Sequence, residues 1–85
     1  MPYVYILFSE SLQKFYIGST GDLPEGRLEK HLKSNKGFTA QVKDWKIVYT
    51  EIFADILSAR KREYQLKSWK SAKRIAELIQ RSSIE

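Results

Sequence analysis

Residues 14–31, KFYIGSTGDLPEGRLEKH, take the chain from strand to turn to helix within one short span. KFYIG is apolar and aromatic and has the length of a strand. Gly18 and Gly21 bracket Ser19 and Thr20 as a tight connection. Asp22, with Glu25 three residues on, resembles an acidic capping box at a helix start. Pro24 falls in the first turn, where its missing N–H costs little. Leu28 and Leu32 give the helix an apolar stripe, and SNKG ends it at about Ser34. The phenol of Tyr16, the guanidinium of Arg27 and the imidazole of His31, the chain's one histidine, thus sit in a single connected segment.

Upstream, YVYILF (residues 3–8) is apolar on both alternations, with Tyr3, Tyr5 and Leu7 on one face and Val4, Ile6 and Phe8 on the other. That pattern predicts a central strand covered on both sides. SESLQK then turns the chain, so the first two strands form an antiparallel hairpin. With Glu10 to Gln13 as the turn, Tyr5 lies opposite Gly18 and Leu7 opposite Tyr16, which makes Tyr5 and Tyr16 diagonal neighbours on one face. A slip of one residue would separate them.

Downstream, WKIVYTEIF (residues 45–53) is rich in β-branched and aromatic residues and reads as a third strand. ADILSARKREYQLKSW is a second helix, and SAKRIAELIQR, capped by Ser71, is a third with Ala72, Ile75, Leu78 and Ile79 facing inward. The order β-β-α-β-α-α predicts an α+β domain, a small three-stranded antiparallel sheet flanked by helices.

With 85 residues the chain is one domain, residues 1–85, near the size at which a core suffices without staples. It has no cysteine, which excludes a disulfide framework and cysteine-based metal sites. Its start lacks a signal-peptide layout, and its apolar run is too short to span a bilayer. The expectation is a soluble cytoplasmic protein that does not engage a membrane. The formal charge of +5 comes from lysines and arginines spread along the chain after Leu23 and favours polyanions.

Helical spacing puts Ile56, Ala59, Glu63 and Leu66 on one face of the second helix. Glu63 therefore points with an apolar stripe. It either meets a metal ion, an arginine or strong donors, or it is a partly exposed acid paired with Lys67 one turn on. Glu51, Asp55 and Glu77 fit solvent or cap positions. Arg27 and His31, four residues apart, share a face of the first helix, where a guanidinium holds phosphate and an imidazole accepts a proton. Tyr5 and Tyr16 taken singly are ordinary core or interface aromatics. Lys33, Lys36, Lys43, Lys67, Lys70 and Lys73 are candidates to track a phosphate backbone, or ordinary solvated lysines. One histidine without cysteine excludes the usual zinc sets, and GSTG lacks the pattern of a phosphate-cradling loop.

YVYIL, FYIGST, DLPEGRLEKH, GFTA, WKIVY and REYQLKSW, in that order, resemble the GIY-YIG nuclease family, in particular its small single-domain members. Tyr3-Val4-Tyr5 stands where the family has Gly-Ile-Tyr, and Tyr16-Ile17-Gly18 matches its second half in full. Arg27 and His31 match its catalytic arginine and frequent histidine, and Glu63 matches its single metal-binding acid. The resemblance implies hydrolysis of DNA phosphodiesters with one divalent ion, magnesium or manganese. It implies Tyr5 as general base or relay helped by His31, and Tyr16 on the water or scissile phosphate, or the two tyrosine roles exchanged. Arg27 would stabilise developing charge, and Glu63 would hold the metal. DNA is the expected partner, cut with preference for structure or with weak specificity by a monomer or weak dimer, with specificity supplied by a protein partner as a further possibility. A module that keeps this fold and binds nucleic acid without cutting it is the alternative.

Overall fold

The computed structural model describes residues 1–33 and 37–82. Strands β1 (Tyr3–Ser9), β2 (Lys14–Thr20) and β3 (Lys46–Ile52) and helices α1 (Pro24–Lys33), α2 (Ile56–Ser68) and α3 (Ala72–Ser82) follow the expected order. A short 3₁₀ helix, Phe38–Gln41, precedes β3. The sheet is antiparallel in the order β2-β1-β3, so β1 is central and both other strands are edges. The expected end of the first helix at Ser34 and the candidate Lys36 lie outside the described residues.

Two cores follow from the alternation along β1. Val4 and Ile6, fully buried, pack with Ala59 and Leu66 of α2 and Ile75 of α3. On the opposite face Tyr5 and Leu7 pack with Trp45 and are covered by Leu28 and Leu32 of α1. The sheet is therefore sandwiched, with α1 on one side and α2 and α3 on the other. In β3 the register shifts between Ile6 and Leu7 of its partner: Ile6 faces Tyr49 and Leu7 faces Ile47. The extra residue is a β-bulge, and it lets Val48 and Tyr49 both turn toward the α2 side.

Local polar contacts fix the ends of these elements. Asp55 caps α2 by accepting the Ser58 N–H at 2.8 Å, and Ser71 Oγ accepts the Arg74 N–H at 3.2 Å to start α3. Lys70, between them, takes a left-handed φ of 49°, which turns the chain sharply. Ser9, fully buried, donates to Asp44 Oδ1 at 2.6 Å while Asp44 Oδ2 accepts the Ser11 N–H at 2.9 Å, tying the β1–β2 turn to the approach of β3.

Three expectations need correction. Asp22 Oδ1 accepts the N–H of its neighbour Leu23 at 2.9 Å, and α1 begins at Pro24, one residue too late for an Asp22–Glu25 capping box. Ala72 is exposed rather than inward, and lines a surface groove beside Phe15 and Ile17 of β2. Glu51 is neither a cap nor a solvated acid. It is half-buried, accepts from Arg62 Nε and Nη2 at 2.9 and 3.1 Å, and accepts a hydrogen bond from the Tyr49 hydroxyl, so it clasps α2 to β3. Burial and that carboxylate push the Tyr49 phenol up to about 12.

Tyr5 and Gly18 are register partners, and the Tyr5 ring lies over Gly18. A Cβ at position 18 would sit 3.1 Å from Tyr5 Cε1 and closer still to Cζ and Oη. Gly26, exposed within α1, has open space around the same atom. The same substitution therefore takes opposite signs. Gly18→Ala is expected to destabilise by about 1–3 kcal/mol through overpacking, and Gly26→Ala to stabilise by about 0.5–1 kcal/mol through helix propensity. Urea unfolding of the two variants checks both.

Candidate active site

The Tyr5 side chain is 1% exposed, and it crosses Gly18 toward the β2 edge, where α1 covers the sheet. Its hydroxyl meets His31 Nε2 at 3.1 Å, and His31 Nδ1 meets Thr39 Oγ1 at 3.0 Å. Thr39 is itself buried, and its carbonyl accepts the Trp45 indole N–H at 2.9 Å. A chain of hydrogen bonds thus runs from the phenol through the imidazole to the 3₁₀ helix, and Trp45 holds its far end. Tyr16 stands edge-on to His31, ring centroids 4.8 Å apart, and packs against Trp45 at 6.4 Å.

Arg27, one turn before His31 on α1, completes this side. Its Nε is buried and has no hydrogen-bond partner among the described residues. A buried donor without a partner is costly, and an anion entering here would satisfy it. The guanidinium also bears on its neighbours. Burial of Tyr5 outweighs the pull of this cation toward its ionised form, and Tyr16 and Glu63 add to the opposition. The Tyr5 phenol accordingly lies above its usual 10.0. Burial first, and the Arg27 charge second, hold His31 below its usual 6.5. The imidazole is therefore neutral at physiological pH.

Glu63 reaches the same end of the sheet from the opposite side. Its helix buries Ala59 and Leu66 in the other core, and Glu63, on their stripe, keeps only 20% of its side chain exposed. Ser19 Oγ donates to Oε1 and Lys67 Nζ to Oε2. Ser19 follows Gly18, the register partner of Tyr5, and Tyr5 feels the Glu63 charge. Both readings of Glu63 are realised together: strong donors and the lysine one turn on.

Glu63 fits a hard cation of the magnesium type. Such an ion takes oxygen ligands, keeps several waters and needs only one or two carboxylates beside substrate phosphates. Among the described residues no cluster of three or more His, Cys, Asp or Glu side chains is poised for a metal, so Glu63 with the Ser19 hydroxyl is an open half-site rather than a cage. Lys67 would have to yield its place to the ion.

Tyr5, Tyr16, Arg27, His31 and Glu63 therefore converge, and of the described candidate lysines Lys67 joins them through its pair with Glu63. Lys33 is paired with Glu29 at 2.7 Å on the exposed side of α1. Lys43 is exposed before β3, and Lys73 is exposed on α3. Lys67 lies in the last turn of α2, and Lys70 is exposed in the turn that follows. Sequence reasoning missed Thr39 and Ser19. Ser19 was within reach, because the hairpin register that pairs Val4 with Ser19 places it on the α2 side. Thr39 carried no signal beyond its place in GFTA.

The GIY-YIG catalytic domain model matches residues 1–76. No curated protein and no solved structure matches the chain. The hairpin that presents Tyr5 and Tyr16, the helix that carries Arg27 and His31, and the lone acid on α2 all fall within the matched residues, and the chain belongs to the GIY-YIG family.

Proposed function

We propose that this protein is a metal-dependent DNA endonuclease that hydrolyses one phosphodiester per active site. The observation that carries it is the joining of a neutral Tyr5–His31–Thr39 chain to a buried, unpartnered Arg27 donor. Membership of a nuclease family fits the same chemistry. A divalent ion of the magnesium or manganese type, held by Glu63, would supply Lewis-acid stabilisation of the leaving oxygen.

The remaining work falls to side chains. A tyrosine held above its usual pKa is a poor base alone, but it moves a proton if it passes its own onward. Tyr5 Oη takes the proton of the attacking water while its hydroxyl proton passes to His31 Nε2. That transfer requires the tautomer with Nδ1–H donating to Thr39 Oγ1, which the 3.0 Å contact accommodates because a hydroxyl can accept. Arg27 donates to the non-bridging phosphate oxygens as charge develops there. Tyr16, packed on His31, borders the place where the water or scissile phosphate sits.

One site cuts one strand, so a double-strand break needs two chains or two encounters. The test is nicking of supercoiled plasmid with magnesium, with manganese and with EDTA. Nicking is expected with metal only. Glu63→Gln should abolish it, and Arg27→Ala should lower it about 10²–10³-fold, the size of a lost oxyanion donor. A nicking activity that survives in Glu63→Gln would overturn the assignment. Wild type that binds DNA and never nicks it would establish the binding module instead.

The pH dependence has a definite sign. His31 accepts only when neutral, so nicking should fall as pH drops through a value below 6.5. The same depressed pKa contributes stability that is fully present above about 6.5, the unfolded value, and is lost as pH falls through the folded-state value. A nuclear magnetic resonance titration of the imidazole beside the nicking profile checks that both follow one group.

A further inference from the structure

β2 is an edge strand, and the α2–α3 turn runs past it at a distance that leaves a groove of about 400 Å³. Phe15, Ile17, Leu66 and Ile75 form much of its floor, and Lys67 and Lys70 stand at its rim. Two residues join it to the candidate active site. Tyr16 borders the groove from β2 while its ring packs on His31 on the opposite face of the sheet, and Lys67 lines the groove and pairs with Glu63. A strand of substrate leaving the reacting phosphate therefore has an apolar trough with a cationic margin directly beside it.

The chemistry of that trough selects what lies in it. A duplex turns sugars and phosphates outward and keeps the faces of its bases stacked, so an apolar floor gains nothing from it. An unpaired base offers a π-face that an aromatic or aliphatic floor covers, while its phosphates take the lysines. Resting on the nuclease reading above, we propose that the groove between β2 and the α2–α3 turn binds an unpaired stretch of the substrate strand next to the scissile phosphate, so that the preferred substrate carries a single-stranded segment there.

Ala72 makes this testable, because it lines the groove yet is exposed at the first turn of α3, outside both cores. Ala72→Trp fills the trough without entering the interior. Lys70→Asn removes a rim charge and suits the left-handed backbone at that position. The measurement is fluorescence anisotropy of a short labelled single strand and of the blunt duplex of the same sequence, in EDTA so that nothing is cut. Thermal melting verifies that each variant is folded.

Wild type should prefer the single strand, and Ala72→Trp should reduce that preference about tenfold. Lys70→Asn should lower the salt slope of single-strand binding by about 0.7, one phosphate contact. A wild type with no preference, or a folded Ala72→Trp that retains it together with an unchanged slope in Lys70→Asn, would overturn the groove assignment. Plasmid nicking by the same preparation separates the two ideas. Nicking with no strand preference removes the groove alone, and strand preference lost in the variants without any nicking removes the nuclease alone.

Discussion

Everything at the candidate site depends on one close crossing, the Tyr5 ring over Gly18. In a pleated sheet, neighbouring strands set their side chains side by side on each face, and a bulky partner would have forced the phenol upright into α1. Glycine lets it lie flat across β2 instead. The hydroxyl of a residue from the centre of the sheet thereby reaches His31 of α1 beside the β2 edge. Its ring stays in the core, so the phenol is positioned by packing rather than by a flexible loop. Glu63, arriving from the other side of the sheet, still bears on the phenol electrostatically.

Burial and charge work against one another here, and their balance defines the resting state. Arg27 would favour a phenolate and does not prevail over desolvation. The same desolvation and the same guanidinium keep the imidazole uncharged. The face formed by α1 thus rests with a neutral phenol, a neutral imidazole and one fixed cation whose Nε is unpartnered. On the other face the carboxylate rests with a lysine. On the function proposed above, an arriving phosphate would satisfy the first imbalance, and a divalent ion would compete with the lysine for the second.

Much of this architecture was legible in the residues. Double alternation along Tyr3–Phe8 dictates a central strand, and the length of the turn fixes a register that pairs Tyr5 with Gly18. Helical spacing placed Arg27 beside His31, and Glu63 on the stripe of Ala59 and Leu66. Contacts between segments distant in sequence were not legible. Thr39 lies in a 3₁₀ helix that has no periodicity to read, and its partner is chosen by how α1 docks. Glu51 looks like an outward residue of an edge strand until Arg62 of α2 arrives above it. Ala72 fits an inward helical stripe, yet past the left-handed turn at Lys70 it stands exposed on a surface groove.

The hydrogen bonds that assemble the site span long stretches of chain: Tyr5 to His31 is 26 residues, and Ser19 to Glu63 is 44. Each closes across a different core, one beneath α1 and the other beneath α2 and α3. Neither the hairpin alone nor the hairpin with α1 contains the full set, and a chain emerging from the ribosome lacks Glu63 until most of its length has been made. The full set therefore exists only where both cores are in place, and a copy cut before α2 holds the phenol and imidazole without the carboxylate.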